Sequence, residues 1–273
     1  MVATNTLSAK RPELQVGEMP IKHRVLNPII SGSIQEGLCA LAVMTKAPRA
    51  GQVKTRLVPP LTPEEAAQLN SCFLRDTTAA IAEACNKTAS GVAVYTPAGC
   101  ESAYADILPT FFDLLPQRGD DFGERLSFAA DDLFHCGFSS VCLIDSDSPT
   151  VSAAIYSKAV QLLSMEGNRV VLGPSDDGGY YLIGLKQNRA DLFERIDWST
   201  ERVLDQTMKR AEELNIEVVL LPSCYDVDDR PALARLCTEL LGRDSAETAP
   251  NTKQFLAELV KREGRERIYS AAK

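Results

Sequence analysis

Histidine is nearly missing from this chain: among 273 residues there are two, His23 and His135. Such scarcity argues against His-rich metal centres and against a Ser or Cys nucleophile served by an imidazole base. Cys-x-x-Cys spacing is missing as well. The eight cysteines (39, 72, 85, 100, 136, 142, 224 and 237) are scattered through mostly apolar stretches and read as reduced core thiols. No apolar run approaches the ~20 residues that cross a bilayer, and no N-terminal run has a signal-peptide core, so a cytoplasmic protein is expected. Basic residues are outnumbered: 29 Lys plus Arg against 37 Asp plus Glu leave a formal net charge of −8. A surface of that sign repels phosphate backbones and anionic membranes, which argues against nucleic acid or membrane as the main partner. Neither of the glycine-rich phosphate-cradling signatures, Gly-x-x-x-x-Gly-Lys-Ser/Thr or Gly-x-Gly-x-x-Gly, is present.

What remains is ordinary globular composition, 45% hydrophobic with 15 Pro and 16 Gly. Residues 1–36 lack periodicity and read as a tail or loose wrapping segment. Residues 37–242 read as one domain in which strands alternate with helices. Leu38–Met44 is a continuous apolar run, the pattern of a strand covered on both faces. Thr62-Pro63-Glu64-Glu65 forms a capping box with Pro at the first helical position, and a helix to about Cys85 follows. Strands are expected at Gly91–Thr96, Val141–Ile144, Val170–Leu172, Tyr180–Leu185 and Ile216–Leu221. Helices are expected over Asp120–Phe134, Val151–Met165, from the Ser199-Thr200 start to Leu214, and over Pro231–Leu241. Residues 243–273, rich in charge, read as a solvated helical tail. Alternation of this kind implies a mixed, mostly parallel sheet between helical layers, with ligands at the carboxyl ends of the strands.

Three clusters follow strands. The first loop places Lys46, Arg49, Lys54 and Arg56 directly after strand one of an acidic protein. Four neighbouring cations repel one another unless a multiply charged anion sits among them, and polyphosphate is the natural guest. Val141–Ile144 runs straight into Asp145-Ser146-Asp147, two carboxylates suited to a hard divalent cation shared with substrate phosphates. Tyr225-Asp226-Val227-Asp228-Asp229 follows another strand. Helix capping accounts for one of its carboxylates but not three, and Asp228 could share a cation with Asp147 if the two strand ends lie side by side. A fourth segment, Asp176-Asp177-Gly178-Gly179-Tyr180, is either a hairpin turn or a close approach of backbone to ligand, with Asp177 available to an acceptor hydroxyl. Asp197-Trp198-Ser199-Thr200 reads as a helix start without a chemical role.

Taken in order, these residues form a recognisable series: Lys46-Ala47-Pro48-Arg49, Val53-Lys54-Thr55-Arg56-Leu57, Gly119-Asp120-Asp121-Phe122-Gly123-Glu124-Arg125-Leu126, Ser146-Asp147, Asp177-Gly178-Gly179-Tyr180-Tyr181, Trp198-Ser199-Thr200 and Asp226-Val227-Asp228. Over about Leu38–Leu241 the chain resembles a bacterial glycosyltransferase-like family, formerly a domain of unknown function. That family is related to the phospholactate and molybdenum-cofactor guanylyltransferases. The resemblance implies the nucleotide-diphospho-sugar transferase (GT-A) fold, an α/β three-layer sandwich. It implies that Lys46, Arg49, Lys54, Thr55, Arg56, Arg125, Gly178 and Gly179 hold the nucleotide, and that Asp147 and Asp228, joined by Asp145, hold Mg2+ or Mn2+. Relatives usually carry Gly at position 145, Cys at 148 and Thr-Pro at 229–230; this chain has Asp145, Ser148 and Asp229-Arg230.

Lys54, Arg56 and Asp177 are the candidate catalytic residues. The favoured expectation is nucleotidyl transfer from a nucleoside triphosphate to a small phosphorylated acceptor, which needs cations and Mg2+ but no base. The alternative is glycosyl transfer from a nucleoside-diphosphate sugar, with Asp177 as base. An inactive nucleotide-binding module ranks third, and the sequence leaves a homodimer open.

Overall fold

The computed structural model describes residues 23–30, 37–242 and 248–269. The first strand, β1 (Cys39–Lys46), lies inside the sheet, and its side chains all but one are buried to some degree. Leu41 and Val43 pack into the core on one face of the sheet, Ala40 and Ala42 into that on the other. That two-sided burial is what the unbroken apolar run dictates. β2 (Ala89–Thr96) and β4 (Ser140–Ile144) flank β1 in parallel, and β3 (Asp113–Pro116) continues beyond β2. β6 (Tyr180–Leu185) runs antiparallel between β4 and β5 (Arg169–Pro174), and β7 (Glu217–Leu220) pairs in parallel with β5. The order of this seven-stranded sheet is β3-β2-β1-β4-β6-β5-β7. The chain leaves β1 toward β2 and later returns to its other side as β4, so the β1/β4 boundary is a topological switch point where ligands bind in such sheets.

Helices cover both faces. α1 (Pro63–Ala84) and α3 (Ala153–Ser164) pack one side through Leu74, Ile81, Ala159 and Leu163. α2 (Phe122–His135) and α4 (Val203–Glu213) cover the other through Leu126, Ala129, Leu133 and Ala211. The capping box expected from Thr62 and Glu65 is formed in both directions: Glu65 N donates to Thr62 Oγ1 at 3.2 Å and Thr62 N to Glu65 Oε2 at 2.9 Å. All eight cysteines are free, and no helix among the described residues is long and apolar enough to cross a membrane.

The structure corrects the expectation for the C-terminal segment. α5 (Arg230–Leu241) and α6 (Pro250–Glu263), with the short α7 (Glu266–Tyr269), build a third core against α1. Leu256 and Leu259 are buried there with Leu69, Phe73 and Leu236. Arg262 and Arg267 do not simply face solvent; both reach Glu65 of α1. At the other end of the chain, residues 24–26 lie along β3. Leu114 N donates to Arg24 O at 2.8 Å, Leu26 N donates to Leu114 O at 2.7 Å, and Arg24 pairs with Asp113. The expected residues of the tail at 1–22 and 31–36, and of the C-terminal segment at 243–247 and 270–273, lie outside the described set.

Candidate functional site

The carboxyl ends of β1 and β4 and the segment after β7 converge on Lys54. Its ammonium donates to Asp147 Oδ1 and Asp228 Oδ1, each at 2.8 Å, and to Val227 O at 3.0 Å, and lies 5.3 Å from the Phe73 ring centroid. The side chain is 3% exposed, the two carboxylates about a third. Burial pulls the Lys54 pKa down, but Asp147 and Asp228 outweigh it and hold the ammonium above its ordinary value. Burial pushes Asp228 up; Lys54 and Arg56 more than reverse that and keep its carboxyl below the ordinary range. Lys54 itself sits in the left-handed region at φ 49°, a conformation that costs a β-carbon-bearing residue of order 1 kcal/mol and concentrates at functional sites.

The backbone explains why Asp147 and Asp228 meet. Val227 N donates to Asp147 O at 3.0 Å, which fastens the last acidic segment to the loop after β4. The three carboxylates of that segment have separate tasks. Asp229 caps α5 by accepting from Ala232 N at 2.9 Å, Asp226 accepts from Ser175 Oγ at 3.1 Å, and Asp228 takes Lys54 and Arg56. Burial, then the neighbouring Asp177 and Asp228, push the Asp226 pKa up. Asp145 is displaced more strongly: burial, then Asp147, push it well above the carboxylate range, and its Oδ2 accepts from Ser148 Oγ at 2.8 Å.

Two recesses meet at this network. One, of about 270 Å³, is lined by Lys46, Gln52, Lys54, Thr55, Arg56 and Asn70. Its neighbour, of about 450 Å³, is lined by the acidic Asp145, Asp177, Asp226 and Glu201 and by the aromatic Phe122 and Trp198 among others. Arg56, Ser146, Asp147 and Asp228 border both. Of the expected site residues, Lys46, Lys54, Thr55 and Arg56 therefore share one recess with Asp147 and Asp228, while Asp145, Asp177 and Gly179 line the other. Arg49 lies apart, with Nη2 2.9 Å from the Cys100 sulfur, and Arg125 Nε donates to Gly119 O at 3.2 Å; neither borders a recess.

Gly178 is needed for the turn itself. At φ +88° its backbone favours glycine, and a β-carbon would stand 2.2 Å from Glu201 O. Its carbonyl accepts from Leu204 N at 2.9 Å, tying the turn to α4. Gly178→Ala is expected to lower unfolding stability by roughly 2 kcal/mol or more, measured by urea denaturation; a variant within experimental error of the parent would show that the turn relaxes freely.

Trp198 is the residue that sequence reasoning missed. The stretch from Ser199 is not the start of α4, which begins at Val203 without a side-chain cap. Ser199 has φ 63°, and Thr200 Oγ1 bonds back to Asp197 O at 2.7 Å. This irregular turn turns the indole into the larger recess, edge-on to Phe122 with ring centroids 5.6 Å apart. Gly123 makes the space: a β-carbon there would lie 2.2 Å from the indole nitrogen. The available signal was a lone tryptophan beside a glycine-bearing helix start, too general to point to a cavity.

Two carboxylates converging on one cation position, both hard oxygen donors, fit Mg2+ or Mn2+. Among the described residues no group of three or more His, Cys, Asp or Glu could hold a metal ion, so Asp147 and Asp228 would leave most of the coordination shell to substrate and water, the usual arrangement for Mg2+.

Residues 79–200 match the family model described as "Uncharacterized protein conserved in bacteria (DUF2064)". No protein of curated function matches the chain. Among solved structures, one from Desulfovibrio desulfuricans G20, provisionally named a nucleotide-diphospho-sugar transferase, is 28% identical with a TM-score of 0.73. It covers 84% of this chain and 99% of its own. A cytidylyltransferase from Leptospira borgpetersenii is 12% identical with a TM-score of 0.46, covering 88% of this chain and 99% of its own. A Mycobacterium tuberculosis protein solved with manganese is 16% identical with a TM-score of 0.45, covering 74% of this chain and 98% of its own. The first of these and the sheet order together show the nucleotide-diphospho-sugar transferase-like fold expected from the sequence.

Proposed function

We propose that this protein is a nucleotide-dependent transferase that moves a nucleotidyl group from a nucleoside triphosphate to a small acceptor and releases pyrophosphate. The observation that carries this reading is the junction at Lys54, where a buried ammonium and two carboxylates separate a basic recess from an acidic one. The basic recess suits the triphosphate. Lys46 and Arg56 supply positive charge where the departing pyrophosphate gains negative charge, Lys54 joins them once a cation takes its place between Asp147 and Asp228, and charge placed there lowers the barrier. Asp147 and Asp228 would hold the divalent cation that neutralises the phosphates when bound. The acceptor enters from the larger recess, so that its attacking atom and the leaving group lie on opposite sides of the junction, as in-line displacement requires.

A specific observation supports the second reading, glycosyl transfer from a nucleoside-diphosphate sugar: Asp177 borders the acceptor recess outside the Lys54 network, where it can take a proton from an acceptor hydroxyl. A thermal-shift panel separates the two. Nucleoside triphosphates and nucleoside-diphosphate sugars are each tested with and without Mg2+ or Mn2+. A ligand present about a hundredfold above its Kd stabilises the native state by about 2.7 kcal/mol. The expected result is stabilisation chiefly by one triphosphate, dependent on metal in the parent and independent of it in Asp147→Asn. Preference for a diphosphate sugar would favour glycosyl transfer, and no response to either class would leave an inactive fold.

A further inference from the structure

Ion pairs join the two halves of the junction: from the first loop, Lys54 and Arg56 reach across to Asp228. In the transferase reading those pairs do not survive loading. With a divalent cation on Asp147 and Asp228, the like charges of Lys54 and Arg56 push the loop away from the acidic segment until a triphosphate bridges them. A loop already held at the right spacing binds that triphosphate without first having to be drawn back.

α7 supplies such a tie. Arg267 Nε donates to Pro60 O at 3.0 Å, and its two terminal nitrogens reach Glu65, Nη1 to Oε1 at 3.1 Å and Nη2 to Oε2. Pro60 lies in a turn that Leu61 N closes onto Leu57 O at 2.9 Å, next to Arg56. At the other end Arg230, the second residue after Asp228, donates through Nε to Ile268 O at 3.1 Å and through Nη2 to Arg267 O at 3.0 Å. Ile268 is buried and seats α7 in the third core with Leu57 and Val227. The path closes on itself: Asp228, Arg230, the backbone of 267–268, the Arg267 guanidinium, Pro60, Arg56 and back to Asp228. Its links at α7 are charge-assisted bonds from planar guanidinium forks, which lose little freedom per bond formed.

We propose that Arg230 and Arg267 are positioning residues: through α7 they fix the distance between the first loop and Asp228, so that Lys54 and Arg56 are in place for the triphosphate when the carboxylates take metal. The inference rests on the transferase reading and deepens it. Neither arginine borders either recess, so both act through the loop and not on the ligand.

A double-mutant cycle on nucleotide binding tests this, by calorimetry of the full-length protein with Mg2+ and the nucleoside triphosphate that raises the parent's Tm most. Arg230→Ala and Arg267→Ala are each expected to weaken binding about tenfold, within the range for residues coupled through a shared backbone shift. In the double variant the loss stays near about tenfold, because one tie is cut twice; independent effects would multiply to about a hundredfold. Arg230→Ala leaves the pair between Arg267 and Glu65 intact, and so carries the test if Arg267→Ala folds poorly. Leu133→Ala, fully buried in the core on the other face of the sheet, lowers stability without touching the tie. It is expected to bind the triphosphate within about twofold of the parent. Unchanged affinity in Arg230→Ala, multiplied losses in the double variant, or an equal loss in Leu133→Ala overturns the inference, while binding by the parent leaves the transferase reading standing. A parent that binds no triphosphate removes that reading, and the role of the two arginines falls with it.

Discussion

Replacing Lys54 by methionine is expected to weaken nucleoside triphosphate binding roughly a hundredfold, since losing one partner of a buried charge contact costs about 2–5 kcal/mol. The same substitution is expected to strengthen binding of Mg2+ or Mn2+ to the nucleotide-free protein. The opposite signs have one cause. In the structure the Lys54 ammonium stands between Asp147 and Asp228, each 2.8 Å away, and so fills the position that a divalent cation would otherwise take. Methionine preserves the packing of the side-chain stem against Phe73 and removes only the charge. Because both carboxylates are about a third exposed, solvent screens their mutual repulsion and the fold should lose little stability. Calorimetry with a triphosphate and, separately, with the metal alone reads both effects. Unchanged triphosphate affinity would remove Lys54 from the nucleotide site, and unchanged metal affinity would remove the shared position.

Leu256→Ala should be among the most destabilising single changes in the chain. Leu256 is fully buried in the third core beside Leu259, Phe73 and Leu236, and truncating a leucine at such a site costs about 3 kcal/mol through lost transfer energy and the cavity left behind. Urea denaturation checks the value; a loss below ~0.5 kcal/mol would mean that α6 is peripheral and that the fold ends at α5.

That second result bears on why the packing of the C-terminal helix, read in the sequence as a solvated tail, was illegible there. Lys261–Arg267 alternates charges in the manner of a solvated surface, and nothing local reveals that two of the arginines answer a glutamate about two hundred residues earlier. Glu65 could be read only in its local role, as the third residue of a capping box; its second role, accepting Arg262 and Arg267, is a tertiary fact. β3 was missed for a different reason. Asp113–Pro116 is four residues with an acid at one end and proline at the other, too short for an alternation to register. By contrast β1, β4 and α1 were legible because each carries a complete local signature. The site divides along the same line. Lys54, Asp147 and Asp228 could be named because each cluster follows a strand, and strand ends share one edge of a parallel sheet. Trp198 and Phe122 could not, since the turn that joins them depends on left-handed backbone at Ser199 and on the absence of a side chain at Gly123.

The strap of residues 24–26 along β3 bears on how the molecule behaves among its copies. An open sheet ends in rows of unpaired amides and carbonyls that invite strands from other chains, the usual origin of edge-to-edge aggregation. Here one margin is satisfied from within: Leu114 exchanges hydrogen bonds with Arg24 and Leu26, and the Arg24 guanidinium, paired with Asp113, leaves charge on the outer side of the strap. The other margin, β7, is kept to four residues and carries Glu217, a short and charged edge that offers little template. The N-terminal segment thus works as a selvage along the β3 side of the sheet.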